Sequence, residues 1–85
     1  MTVRLADDGA IMLEGNCPVE DAETLARFLL LDPSAAVDWR TCEKAHAAVI
    51  QILLTARPLM RGSPRSAFLR DWVTPVVSRS PAIQR

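Results

Sequence analysis

Residues 35–56, AAVDWRTCEKAHAAVIQILLTA, pass from a short apolar run into a helical pattern. The run at residues 35–39 follows the turn sequence Asp-Pro-Ser and is typical of a buried strand in a parallel pairing. Apolar residues then recur at three- and four-residue spacing, which marks one buried helix face; they are Ala45, Ala48, Val49, Ile52, Leu53 and Ala56. We therefore predict a strand and then a helix that ends before Arg57-Pro58, because the residue before a proline is pushed out of the helical region.

The preceding sequence predicts a hairpin and a helix. Residues 2–6 and 10–15 are two candidate strands around Asp7-Asp8-Gly9, whose Asp-Gly pair supplies the positive-φ turn position. A helix is predicted from Pro18 to Leu31, with acidic residues in its first turns, where the helix dipole favours them. Three consecutive leucines, residues 29–31, cannot all face the core, so we expect at least one to be exposed.

The following sequence predicts a brief strand at residues 58–60 and a third helix with Ser63 as N-cap and Pro64 at its first position. Five residues are assigned to the apolar side of this helix: Phe68, Leu69, Trp72, Val73 and Val76. The order is then β-β-α-β-α-β-α, which predicts an α/β fold, an open sheet with helices packed on it. Residues 1–77 are expected to form one domain, and residues 78–85 a flexible C-terminal tail.

The chain is neutral as a whole, but its charge is divided. Its 85 residues include ten basic and ten acidic side chains, for a formal net charge of +0, which argues against nucleic acid as a partner. Residues 1–38 carry a net charge of −6 and residues 39–85 a net charge of +6. Two interpretations stay open: the charges pair internally or are solvated, or they form an acidic and a basic face, each suited to a partner.

Nothing in the sequence indicates a metal, a cofactor or a catalytic motif. Cys17 and Cys42 lack a CxxC spacing and only His46 is available to join them, so we expect two free, largely buried thiols and no zinc site. The N-terminus becomes charged too early for a signal peptide, and the apolar residues 45–56 are too few to cross a bilayer. These features predict a cytoplasmic protein that does not insert into membranes.

Four segments in this order resemble the STAS domain, the fold of bacterial anti-sigma-factor antagonists and of small regulatory subunits of some lipid transporters. IMLEG at 11–15 is similar to the family's second strand, VEDAETL at 19–25 to its first helix, VD at 37–38 to its third strand, and HAAVIQILL at 46–54 to its second helix. The resemblance covers residues 2–77. It implies a non-enzymatic protein-protein interaction module in bacterial regulation or signal transduction. Its partner would be an anti-sigma-factor kinase, a chemotaxis or two-component protein, or a transporter ATPase.

In that family a strand-ending Asp is followed, a few residues later, by Asp-Ser or Asp-Thr, whose hydroxyl heads the second helix and accepts phosphate from the partner kinase. With the same spacing from Asp38, this chain has His46 in place of the Asp and Ala47 in place of the hydroxyl. Ala47 cannot be phosphorylated, so the resemblance implies constitutive binding or another form of regulation. Whether Thr41 or a serine is phosphorylated instead is left open.

The resemblance implies that the partner binds to the loop at residues 39–46 and to the surface of the second helix. The candidate partner-binding residues are Trp39, Arg40, Thr41, Lys44, His46, Ala47 and Ile50. For Trp39 two interpretations stay open, an exposed anchor for the partner or a core residue. The spacing of Trp72 with Phe68 and Leu69 predicts a core position for that residue.

Two other functions remain as hypotheses. The first is a homodimer or assembly subunit, held together by exposed leucines and opposite charges. The second is a phosphorelay component that uses His46; the simpler interpretation of that residue is a helix-start histidine hydrogen-bonded to residues 40–44.

Overall fold

The computed structural model describes residues 2–77; the tail predicted at residues 78–85 lies outside this range. The described chain forms four strands, β1 (Val3–Leu5), β2 (Ile11–Cys17), β3 (Val37–Ala45) and β4 (Met60–Arg61). Its helices are α1 (Glu20–Leu31), α2 (Ala47–Ala56) and α3 (Thr74–Val77), and a π-helical turn, Leu69–Val73, leads into α3. The predicted α/β class and element order are confirmed.

The strands make one mixed sheet in the order β1-β2-β3-β4. β1 pairs with β2 in antiparallel fashion, and the β2–β3 and β3–β4 pairs are parallel. The predicted hairpin is present: Gly9 has a φ of +88°, and the amide of Ala10 donates a 3.0 Å hydrogen bond to Asp8 Oδ1. The glycine supplies the backbone geometry that a residue with a side chain adopts at a cost.

β3 is longer than predicted. Residues 40–44, expected as a loop, and Ala45, assigned to the second helix, continue the strand. The sequence of this part is polar, and its exposed residues do not alternate cleanly with buried ones. The cause is an irregular register: the β2–β3 ladder shifts between Met12 and Glu14 and again between Gly15 and Asn16. Such bulges break the period-two pattern on which strand prediction depends.

The two faces of the sheet differ. The core joins apolar side chains of the strands to the helices, and the largest fully buried ones include Trp39, Ile11, Leu13, Leu25 and Leu53. On the opposite face, register aligns Arg4, Met12, Asp38 and Arg61 in one row across the four strands. Among the helices, α2 contacts both α1 and α3.

The predicted apolar side of the third helix is partly wrong. Leu69 and Val73 are buried, together with Val77, whereas Phe68, Trp72 and Val76 are exposed. The π-helical turn explains the difference. It contains more residues per turn than an α-helix, so residues four apart, such as Leu69 and Val73, lie on the same side, whereas residues three apart, such as Leu69 and Trp72, do not. Pro75 lies just after this turn and has no N–H to donate to the carbonyl of Asp71.

At the end of α1, the expectation for the leucine run is confirmed. Leu29 is buried, while Leu30 and Leu31 are 81% and 77% exposed. No helix among residues 2–77 is long and apolar enough to span a membrane.

Candidate functional site at the ends of β2 and β3

A groove of about 400 Å³ opens where the parallel strands β2 and β3 end and the helices that follow them begin. Asn16, Cys17 and Pro18 line it on one side, and Lys44, Ala45 and His46 on the other. The two sides are joined in register, Asn16 with Lys44 and Cys17 with Ala45. In open α/β sheets the carboxyl ends of parallel strands are where ligands and partners most often bind.

His46 forms the N-cap of α2. Its Nδ1 accepts a 3.0 Å hydrogen bond from the amide of Ala48, and its own amide donates to the carbonyl of Cys17 at 2.9 Å. The side chain is exposed, and its bond is to the helix rather than to residues 40–44, so that part of the expectation is wrong. Because Nδ1 is the acceptor, the proton of the neutral ring is on Nε2.

The structure separates the seven predicted site residues. Lys44, His46, Ala47 and Ile50 lie together at the end of β3 and the start of α2; the first three are exposed and Ile50 is half-buried. Arg40 and Thr41 are also exposed, but they lie further back along β3. Of the seven, Lys44 and His46 line the groove at the strand ends.

Trp39 is not a surface anchor: it is 1% exposed, and the hypothesis that it contacts a partner is wrong. Its indole Nε1 donates a 2.9 Å hydrogen bond to the carbonyl of Gly62. The residue belongs to the middle of β3 and not to a loop, so its large ring fills the core between the sheet and the helices.

Arg40 is held by Asp38, the one fully buried charged residue among residues 2–77. Arg40 Nε donates to both carboxylate oxygens at 3.1 Å, and Arg61 approaches the same carboxylate at 3.5 Å. The hydrogen bonds from Arg40 hold the pKa of the Asp38 carboxyl below its ordinary value. Arg61 also pairs with Asp8 at 3.1 Å, so both guanidinium groups are engaged within the chain.

Cys17 and Cys42 are free and buried, as predicted. The neighbouring Cys42 thiol and burial both raise the pKa of Cys17, which keeps it protonated and unreactive. In the described part of the chain, no three His, Cys, Asp or Glu side chains are placed to hold a metal ion.

α2 carries no charged side chain over its ten residues. Val49 and Leu53 are buried, while Ile50, Ile52 and Leu54 are only half-buried. A helix on the surface of a soluble domain ordinarily has a charged outer face, and protein interfaces are depleted in charge at their centre. The sequence already shows this absence of charge, but its apolar spacing predicts only a buried helix face.

A second, apolar groove of about 410 Å³ lies between the C-terminal halves of α1 and α2. Its lining includes Leu29, Leu30 and Pro33 from the α1 side and Ile52 and Ala56 from α2. Sequence reasoning missed this groove, because its two walls come from helices whose relative placement no local pattern encodes.

No protein-family model matches the chain, and neither the curated proteins nor the solved structures include a significant match. The fold and the site define a small α/β domain whose second helix carries no charged side chain.

Proposed function

We propose that this chain is a non-enzymatic, STAS-like protein-interaction module of bacterial regulation that binds its partner through the end of β3 and the start of α2. The observation that carries the proposal is the absence of charge from α2. Keeping apolar side chains half-exposed on a charge-free helix is unfavourable in water unless another protein covers them.

The local arrangement favours a partner with an apolar centre and an acidic edge. Ala47 and Ile50 supply a small, apolar contact surface, and Lys44 lies beside it with an exposed ammonium. No ion pair involving Lys44 is found among the described residues, so its charge is available to an acidic group.

The resemblance to STAS domains supports the same surface. Ala47 is the first residue of α2, which is where the family has its phosphorylated hydroxyl. A methyl group there makes binding independent of that phosphorylation. The partner classes that follow from the resemblance are an anti-sigma-factor kinase, a chemotaxis or two-component protein, and a transporter ATPase.

The test is differential capture followed by reconstitution. The full chain and its Ala47→Glu variant are immobilised, and proteins retained only by the wild type are identified, purified and titrated by calorimetry. Ala47→Glu suits this purpose because an acidic residue in the first turn favours α2 while it repels an acidic partner. We expect at least a tenfold loss of affinity.

Leu5→Glu is the matched control, since Leu5 is also exposed and apolar but lies on β1. It should bind the partner as the wild type does. Equal affinity of Ala47→Glu and wild type for every retained protein would refute the proposed surface.

A further inference from the structure

We draw no further inference here: the strongest candidate, the apolar groove between α1 and α2 with the exposed Phe68, Trp72 and Val76 of the C-terminal helical segment, residues 67–77, carries none, because nothing in the described part of the chain shows what covers either surface.

Discussion

Trp39 and Gly62 are joined by a 2.9 Å hydrogen bond from the indole Nε1 to the backbone carbonyl. This bond ties the centre of β3 to the residue that follows β4, a strand of only two residues. The indole therefore has two roles: it fills the core, and it holds the edge of the sheet in place.

Substitution of Trp39 should separate these roles. Trp39→Phe retains most of the apolar volume but leaves the Gly62 carbonyl without its donor, and it should lower the free energy of unfolding by about 1–3 kcal/mol. Trp39→Ala also opens a cavity and should cost about 3–5 kcal/mol. Urea unfolding followed by circular dichroism measures both. Trp72→Phe, at an exposed position, should stay within about 0.5 kcal/mol of wild type; equal effects at the two tryptophans would contradict the burial of Trp39.

Gly62 and Arg40 should show strong energetic coupling. Gly62 has a φ of +77°, and a Cβ placed there would overlap with Arg40 Cγ. Gly62→Ala must therefore bear a backbone cost of about 1–2 kcal/mol and also displace the Arg40 side chain from Asp38. In an Arg40→Ala background only the backbone cost remains. A double-mutant cycle of unfolding free energies measures the difference, and simple additivity of the two substitutions would refute the close contact.

The hairpin, the parallel βα unit and the order of elements were predictable because local signals encode them: Asp8-Gly9 fixes the turn, and the spacing of Val49 and Leu53 fixes the face of α2. The length of β3 was not predictable. Its polar residues Thr41 and Lys44 are strand residues because they pair with Glu14 and Asn16 of β2, and no local pattern in the sequence encodes that pairing.

The position of the candidate site at the start of α2 comes from the resemblance to STAS domains and stays a prediction. The sequence left Trp39 open between an exposed anchor and a core residue, and its burial decides for the core. The prediction that Trp72 lies in the core is wrong for a different reason. It assumes an α-helical period, whereas residues Leu69–Val73 form a π-helical turn and the buried residues of this segment are Leu69, Val73 and Val77.

Stability should depend on Asp38 in acid. Hydrogen bonds from Arg40 lower the pKa of this carboxyl in the folded chain, so the unfolded chain binds a proton at a higher pH than the folded one. The stabilisation is complete above the unfolded pKa of about 3.9 and is lost as the pH falls through the lower folded pKa. Urea unfolding across this range should show a shallower acid decline for Asp38→Asn, from a lower starting stability.

The control for this pH series is Asp71→Asn, which removes an exposed carboxylate without changing the buried pair. Its acid decline should match that of the wild type. An unchanged decline in Asp38→Asn would show that Asp38 is not the group responsible.

His46 should contribute to stability as a helix cap. His46→Ala removes the acceptor for the Ala48 amide and should cost about 1 kcal/mol, measured by urea unfolding at neutral pH. His46→Asp keeps an acceptor and adds a negative charge at the helix N-terminus, so it should be at least as stable as wild type. Incubation with labelled small phosphodonors tests the relay hypothesis on the same proteins: label on the wild type that is absent from His46→Ala would support it.

The arrangement of the C-terminal helical segment can be tested with neighbouring residues. Leu69 is buried and Phe68, one position earlier, is exposed. Leu69→Ala should therefore lower the free energy of unfolding by about 2–5 kcal/mol, whereas Phe68→Ala should change it by no more than about 0.5 kcal/mol. A regular α-helix with Phe68 and Trp72 inward would make Phe68→Ala as costly as Leu69→Ala, and that result would refute the buried stripe of Leu69, Val73 and Val77.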